Sequence, residues 1–296
     1  MSITKDKVVF SIYVDIPWEK LDNPGWYDWS TDRFIHTDKS QRVKLALKAF
    51  EKQLNEVKEQ YAKDIGADYI LFTDDQEYAD FCEMFRTEYP QISEYDIINF
   101  YKHWQMKILS EKYDKVCYLD YDVVPNTKDD IFDAHDPEAF ACAESNSQAI
   151  RGKRLDMIHQ YRHDIRNPAT KYWNAHAMLC EEGYDDQADT DVFNTGIMVA
   201  TKEVIDQFDY FGNFKEVLDL MTFLKNDEDS MYPHQIKRVF NYDNETVFAY
   251  KRIVNNVKID YINEMWHFPL MENGPLNLRA KMFHVISKQF ELVLSR

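Results

Sequence analysis

Two aspartates separated by one residue follow a short apolar run at residues 116–119. The pair is Asp120 and Asp122, in the stretch KVCYLDYDVVPN. Carboxylates are rarely placed at the end of a buried strand unless a positive group meets them there. A hard divalent ion prefers oxygen ligands, and two acids one residue apart can converge on one ion once the backbone turns. The spacing therefore predicts a cation site, although a solvated turn after a strand would give the same pattern.

Alternating strand and helix patterns lead up to this pair. A β-rich run at residues 8–14 ends in Asp15, and a helix with one apolar face is predicted between Ser40, as N-cap, and Gly66, as terminator. The remaining elements are a strand at 69–72, a turn at 73–75, a helical segment through Phe85, a helix at about 99–112 and the strand before Asp120. This order predicts a parallel α/β sheet, in which ligands bind beyond the carboxyl ends of the strands. Asp15, the turn and the acidic pair would then share one rim.

The second half of the chain continues with a strand at 139–143, a polar, helix-prone insertion at 150–187 and a strand at 191–201. Gly196 lies inside the last of these, where a glycine indicates a bulge or a close approach of the backbone to a ligand. A helical stretch is predicted at 202–225, and residues 280–296, which include His284, form a strand or a helix. Because no linker or repeat interrupts the chain, a single domain over residues 1–296 is predicted.

The composition limits the partners. A net charge of −17, from 52 acidic and 35 basic residues, argues against a nucleic-acid partner, because phosphates would be repelled outside a local basic groove. Cys82, Cys117, Cys142 and Cys180 have no spacing suited to zinc and are predicted to be reduced thiols of the core. The apolar run near the N-terminus is too short for a membrane span, so we expect a cytoplasmic protein without one. The oligomeric state stays open.

The stretch KVCYLDYDVV resembles the DxD motif of GT-A glycosyltransferases, in particular the family that includes glycogenin and bacterial lipopolysaccharide galactosyltransferases. Other motifs of that family follow in the same order: FSIYVDIP at the first strand, FNTG ending at Gly196, and His284 in FHVISK. The resemblance implies a GT-A fold, with a Rossmann-like, mixed and mostly parallel central sheet flanked by helices. It also implies a nucleotide-binding half, residues 1–125, and an acceptor-binding half, residues 126–296.

The resemblance implies a metal-dependent transfer of a sugar from a nucleotide sugar, most simply a UDP-sugar, to a glycan or another hydroxyl acceptor, with retention of configuration. The ion would be Mn²⁺ or Mg²⁺, held by Asp120, Asp122 and His284. An imidazole beside oxygen ligands suits manganese better. A buried histidine bonded to the backbone is the structural alternative for His284.

The resemblance also implies further site residues. The nucleotide-sugar donor would contact Tyr13, Val14, Asp15, Asp74, Lys102, Asp120, Tyr121, Asn194 and Lys288, with Asn194 at its sugar. Asp191 and Gln235 would act at the sugar, where Gln235, at a helix start resembling the family's DQ, would stabilise positive charge at the anomeric carbon. The insertion at 150–187 is the candidate for acceptor recognition.

Structural roles remain open for several of these residues. Tyr13 could be a core aromatic, and Asp74 could belong to an ordinary polar turn. Gln235 could be a polar residue of a helix N-terminus. Lys102 and Lys107 could lie on a solvated face of the helix before the acidic pair, and that interpretation is favoured for both.

The chain departs from the family pattern at two places. After His284 it lacks the glycine and proline of the motif HFxGxxKP, and His234 stands where an aspartate is usual. These departures leave open a catalytically inactive, sugar-binding GT-A domain. A haloacid dehalogenase-type phosphatase is the other alternative, with Asp120 attacking phosphate and Asp122 acting as the acid. That family has its motif on the first strand, whereas here about 115 residues precede it.

Overall fold

Strands and helices alternate along the chain in the computed structural model, which describes residues 5–21, 25–28, 33–36, 38–90, 92, 94–145, 168–184, 190–230, 237, 242–272 and 274–294. The strands are β1 (Lys5–Ile12), β2 (Gly25–Asp28), β3 (Arg33–His36), β4 (Asp68–Phe72), β5 (Tyr113–Leu119), β6 (Val123–Pro125), β7 (Phe140–Glu144), β8 (Phe193–Thr201), β9 (Ile259–Tyr261), β10 (Phe268–Pro269) and β11 (Met282–His284). The helices are α1 (Lys39–Asp64), α2 (Gln76–Glu88), α3 (Glu94–Ser110), α4 (Pro168–Glu181), α5 (Lys202–Phe208), α6 (Phe214–Asn226), α7 (Asn244–Val254) and α8 (Glu291–Leu294). Within these ranges, no helix combines the length and the apolar character needed to cross a membrane.

The central sheet has six strands in the order β4-β1-β5-β8-β7-β9. β1 pairs in parallel with β4 and β5, and β7 pairs in parallel with β9. β8 lies antiparallel between β5 and β7, so it runs against the other five strands of this sheet. The predicted α/β class with a mixed, mostly parallel sheet is confirmed.

Apolar layers cover both faces of the sheet. Val8 and Phe10 of β1 pack into the larger layer, with residues of α2, α3 and α7. Val9 points the other way, into a layer that α1 closes with Tyr61 and Ala62. Successive side chains of a strand alternate between faces, and a strand buried on both faces is apolar throughout. The apolar residues of β1 and β5 are buried between these two layers. The strands end where they leave the layers, and the acids Asp15, Asp120 and Asp122 follow there.

The ends of α1 were predicted with mixed success. The helix starts at Lys39, and its N-cap is Asp38, which makes no side-chain capping hydrogen bond. The prediction of Ser40 as N-cap is therefore wrong, because Ser40 already lies in the first turn. Gly66, with φ of +70°, follows the helix end in the left-handed conformation that glycine tolerates best, so its role as terminator is confirmed.

The helical stretch predicted at 202–225 is divided into α5 and α6. Between them Asp209, with φ of 39°, and Asn213, with φ of 50°, adopt left-handed conformations. Asp and Asn are the non-glycine side chains that adopt this conformation most readily, so the chain can turn without a glycine or proline to mark the break. The prediction of one continuous helix is wrong for this reason.

A second sheet, in the order β10-β11-β6, brings the end of the chain to the acidic pair. β11 pairs antiparallel with β6, and this register sets His284 opposite Val123. Phe283 and Phe290 pack this sheet against Leu54 of α1. Two strands of only three residues each therefore bring His284 beside the turn that follows β5.

The four cysteines are free thiols, as predicted. Cys82, Cys117 and Cys142 are buried, and Cys180 is half-buried. Burial raises the pKa of the Cys117 and Cys142 thiols, which keeps them protonated and unreactive.

Candidate metal and donor site

Asp120, Asp122 and His284 meet at the carboxyl end of β5, and one ligand atom from each lies within 4.8 Å of the others. Nε2 of His284 is 3.5 Å from Oδ1 of Asp122 and 3.8 Å from Oδ2 of Asp120. Ligands of one divalent ion, each about 2.1 Å from it, are separated by roughly 3 to 4 Å. The group therefore fits a divalent ion with little movement, and its mixture of carboxylates and imidazole suits Mn²⁺ better than Mg²⁺.

Backbone hydrogen bonds fix the turn that presents the two acids. The N–H of Asp120 donates to the Gly196 carbonyl at 2.7 Å, and the N–H of Val123 donates to the Asp120 carbonyl at 2.9 Å. The N–H of Val285 donates to the Asp122 carbonyl at 3.0 Å. The turn is thus held by β8 on one side and by the segment after β11 on the other.

Gly196 lies against the side chains of this group. A methyl group at this position would come within 2.6 Å of Cε1 of His284 and within 2.9 Å of both Oδ2 of Asp120 and Oδ1 of Asn194. The register between β7 and β8 also shifts just after Cys142, so the pairing is irregular here. The predicted irregularity is present, and the close approach of the backbone is to the side chains of the candidate site.

Lys288 supplies a positive charge to Asp122. Its Nζ forms an ion pair with Oδ2 of Asp122, although the glycine and proline of the family motif are missing. Burial favours the neutral form of Asp122, but Lys288 and His284 outweigh burial and hold the pKa of Asp122 well below its usual value. Burial also opposes protonation of His284, and the charge of Asp122 outweighs it, so the pKa of His284 is raised.

Lys102 is buried beside Asp120, so the favoured interpretation of a solvated helix face is wrong for this residue. It is 3% exposed. Its Nζ lies 3.3 Å from the Thr195 carbonyl and 3.9 Å from Oδ1 of Asp120. The Tyr118 hydroxyl donates to the same Oδ1 at 2.7 Å. Lys107, on the same helix, is exposed, and the solvated-face interpretation holds there.

Tyr13 and Tyr121 stack with ring centroids 4.5 Å apart and planes inclined by 16°. The N–H of Tyr13 donates to the Phe72 carbonyl at 2.9 Å, so this backbone continues from β1 along β4. The hydroxyl of Tyr121 donates to the Glu51 carbonyl at 2.9 Å. Val14 is half-buried against the larger apolar layer. The stack joins the end of β1 to the acidic turn, so Tyr13 is a packed aromatic that borders the candidate site.

The acids at the other two strand ends do not belong to the cation group. Asp15 pairs with Lys44 and, at 3.5 Å, with Lys48, both on α1. Asp74 is exposed, and its neighbour Asp75 accepts a backbone N–H of α2 at 3.1 Å as the N-cap. Lysines neutralise Asp15 and the turn serves to begin α2, so neither acid needs the cation as a partner, and their contacts with the nucleotide stay a prediction.

The residues predicted at the sugar are placed in different ways. Oδ1 of Asn194 accepts the N–H of Gly196 at 2.9 Å, which stabilises the chain beside the cation group. Asp191 is buried and accepts a hydrogen bond from the Tyr261 hydroxyl. Gln235 lies outside the residues that the structure describes, as does most of the insertion at 150–187.

The start of α7 reaches this region and was not predicted. Oε1 of Glu245 accepts the backbone N–H of Thr195 at 2.8 Å and its hydroxyl at 3.1 Å. Asn244 donates to the same hydroxyl oxygen at 3.0 Å. Burial opposes ionisation of Glu245, but an ion pair with Lys171 keeps its pKa low. Burial raises the pKa of the N-cap, Asp243.

A sequence signal for this helix start was present. Asp243 and Asn244 are an acid and an amide that begin a helix, which is the pattern that the resemblance implied at His234 and Gln235. The side chain of Asn244 is one carbon shorter than that of glutamine. The described contacts therefore add Asn244 to the candidates for the sugar-facing amide.

Two further buried side chains support the group. His267 is 7% exposed, and its Nε2 lies 2.8 Å from Nδ1 of His284. Lys58 is completely buried, and its Nζ donates to the carbonyls of Tyr121 at 2.8 Å and Leu54 at 3.3 Å. No motif marked either residue, since Tyr121 and His284, the contacts that place them at the site, lie 63 and 17 residues away from them.

No protein-family model matches the chain, and a search of curated proteins finds no match. Solved glycosyltransferase structures do match in fold. Mouse xyloside xylosyltransferase 1 matches with a TM-score of 0.48 and 12% identity, over 95% of this chain and 98% of that one. Galactosyltransferase LgtC, in complex with donor and acceptor sugar analogs, matches with a TM-score of 0.41 and 12% identity, over 95% of this chain and 87% of that one. A glycosyltransferase involved in the glycosylation of the major capsid of PBCV-1 matches with a TM-score of 0.38 and 12% identity, over 95% of this chain and 93% of that one. At these sequence identities and TM-scores, the structural similarity supports no conclusion about the reaction.

Proposed function

We propose that this protein is a metal-dependent glycosyltransferase that moves a sugar from a nucleotide sugar, most simply a UDP-sugar, to a hydroxyl of a glycan or another acceptor, with retention. The observation that carries the proposal is the convergence of Asp120, Asp122 and His284, although more than 160 residues separate the acids from the histidine. A solvated turn would not require a buried histidine facing both acids. The order of the motifs along the chain supports the same conclusion.

The cation group would hold Mn²⁺ or Mg²⁺, which when bound neutralises the charge of a diphosphate leaving group. Lys288 and Lys102 bring further positive charge to the two acids. An ammonium on a flexible stem can exchange a carboxylate partner for a phosphate oxygen. Lys288 would do so when the nucleotide binds, since its partner Asp122 is then engaged by the ion.

The nucleotide would lie beside the paired rings of Tyr13 and Tyr121, whose flat faces suit a base. Val14, Asp15 and Asp74, at the neighbouring strand ends, are the proposed contacts of the base and ribose. Lys44 forms an ion pair with Asp15. When the nucleotide binds, Lys44 would either share the Asp15 carboxylate with it or release the carboxylate to it.

Asn194 and Asp191 are the proposed contacts of the sugar. An amide oxygen near the anomeric carbon would stabilise its positive charge in the transition state without becoming a nucleophile. Gln235 is the proposed donor of that oxygen, and Asn244 at the start of α7 is the second candidate. The bond between Asn244 and Thr195 holds its amide next to the strand that carries Gly196.

Calorimetric titration of UDP with and without Mn²⁺ tests the proposal. We expect UDP to bind only with the metal, and Asp122→Asn to abolish this binding while the fold is kept. Asp114→Asn, which removes an exposed acid at the other end of β5, is the matched control and should bind like the wild type. Unchanged UDP affinity in a folded Asp122→Asn variant would contradict the proposed ion site.

A panel of nucleotide sugars then separates the enzyme from its alternatives. The proposed enzyme hydrolyses its own donor slowly in the presence of metal and without an acceptor. An inactive sugar-binding domain would bind UDP and Mn²⁺ and hydrolyse none of the panel. A phosphatase that uses Asp120 as nucleophile would release phosphate from an aryl phosphate.

A further inference from the structure

A second histidine contacts His284 at the ring nitrogen that points away from the acids. Nε2 of His267 lies 2.8 Å from Nδ1 of His284, and the ring planes are inclined by 58°. Both residues are buried. Because water is largely excluded there, the two nitrogens depend on each other for a hydrogen-bond partner.

The backbone brings the two rings together. His267 immediately precedes β10, which pairs in parallel with β11, the strand that ends in His284. The N–H of His267 donates to the Asn263 carbonyl at 2.9 Å, and the N–H of Leu270 donates to the His284 carbonyl at 2.8 Å. The first bond closes the turn before β10, and the second joins the residue after β10 to the end of β11, so backbone hydrogen bonds hold both histidines in place.

The hydrogen between the two rings has two possible positions, with different consequences for a cation. If Nδ1 of His284 carries it, Nε2 of His284 can keep a lone pair directed at Asp120 and Asp122. If Nε2 of His267 carries it, a neutral His284 has its proton on Nε2 and offers no lone pair there. The direction of this one hydrogen bond therefore decides whether His284 can be a ligand.

We propose that His267 is a positioning residue that accepts the Nδ1–H of His284 and so leaves Nε2 of His284 available to the cation. Metal-bound histidines generally donate their other N–H to a neighbouring acceptor, which fixes the tautomer and the ring orientation. The distance of 2.8 Å between Nε2 of His267 and Nδ1 of His284 places a ring nitrogen of His267 where it can accept this hydrogen. This inference rests on the proposed function, since it supposes an ion held by Asp120, Asp122 and His284.

Titration of Mn²⁺ into the full chain at saturating UDP tests this role. His267→Phe keeps a ring of similar size but removes the acceptor, and we expect Mn²⁺ affinity to fall about 10- to 100-fold. His267→Gln restores an acceptor near the position of Nε2, and we expect affinity close to that of the wild type. His135→Phe is the matched control, because it removes another largely buried histidine, one bonded to Asp260 at 3.0 Å and outside the cation group.

Pulsed electron paramagnetic resonance adds a readout that a purely structural role would not change. Nitrogen coupling to bound Mn²⁺ should be present in the wild type and in His267→Gln, and weakened or lost in His267→Phe. If the phenylalanine variant does not fold, His267→Asn, whose shorter amide does not reach Nδ1 of His284, takes its place.

The outcomes separate this inference from the proposed function. If the wild type binds no Mn²⁺ with UDP, the proposed function fails and this inference fails with it. If the wild type binds Mn²⁺ and a folded His267→Phe variant binds it equally well with the same nitrogen coupling, only the role of His267 is refuted. Equal losses in His267→Gln and His267→Phe would also refute it, because they would show that ring packing matters and the acceptor does not.

Discussion

The side-chain ammonium of Lys58 donates to the backbone carbonyl of Tyr121 at 2.8 Å, directly between the two acids of the candidate site. Nζ also lies 4.8 Å from the centre of the Tyr121 ring. A completely buried lysine is costly unless charged or polar groups compensate it. Here the carbonyls of Tyr121 and Leu54 and the nearby charges of Asp122 and Asp120 offset part of that cost, but burial still outweighs them and lowers the pKa of Lys58. Lys58 therefore fixes the acidic turn from behind.

Lys58 should make the stability of the protein depend on pH. Burial lowers its pKa to about 7, whereas a lysine of the unfolded chain has a pKa of about 10.4. Between these values the unfolded chain binds a proton that the folded chain lacks, so stability rises with pH by at most about 1.4 kcal/mol per unit. Relative to Lys58→Met, the wild type should gain stability from pH 7 to pH 10, as measured by urea unfolding. Lys63→Met, on the exposed side of the same helix, should show no such trend.

Lys288→Met should affect metal and nucleotide binding in opposite directions. The ammonium competes with a cation for Asp122 but attracts a diphosphate, so Mn²⁺ alone should bind more tightly in the variant. UDP in the presence of Mn²⁺ should bind roughly tenfold more weakly, which corresponds to one charge-assisted hydrogen bond. Titration calorimetry measures both. Lys281→Met removes a lysine paired with Asp129 at 2.8 Å and should change neither affinity. Unchanged binding of both ligands in Lys288→Met would contradict the competition.

Gly196→Ala should remove Mn²⁺ binding, because the added methyl group overlaps His284 and Asp120. We also expect a loss of about 1–3 kcal/mol in stability from overpacking. Gly183→Ala is the matched comparison: φ of +80° makes alanine unfavourable there by about 1 kcal/mol, but the space around it is open. Urea unfolding should show both losses, and Mn²⁺ titration should show a defect in Gly196→Ala alone. Normal Mn²⁺ binding by Gly196→Ala would show that the ligands tolerate displacement.

The two amides proposed for the anomeric centre can be told apart by kinetics. We expect Gln235→Ala to lower kcat about 100-fold, as for a lost transition-state contact, while UDP affinity in Mn²⁺ stays unchanged. Asn244→Ala should then have a smaller effect. The reverse order of the two losses would assign the role to Asn244.

Local sequence patterns predicted those structural features that depend on a few neighbouring residues. The strand before Asp120 is apolar on both faces and ends in acids, and these features alone predict a buried strand that opens into a rim. The order of strands and helices predicted the parallel part of the sheet in the same way. The resemblance to a family added the histidine, since no local pattern links His284 to residues so far away in the sequence.

What the sequence did not predict depends on partners from distant segments. Lys102 was assigned to a solvated face because helix periodicity cannot show that β8 covers it. The pairing of Asp15 with Lys44 was not predicted, because Lys44 lies 29 residues further along the chain. The break before α6 escaped prediction because Asp209 and Asn213 adopt left-handed conformations that neither residue type requires.

The pairing of β6 with β11 determines when this centre can exist during synthesis. A nascent chain emerges from its N-terminus, so Asp120 and Asp122 leave the ribosome more than 160 residues before His284. Until the late strand arrives, β6 has an open edge and the two carboxylates lack both the imidazole and Lys288. Capture of the proposed cation would therefore wait for this strand, and a chain that stops after β9 but before residue 284 would have every strand of the central sheet without the complete set of ligands.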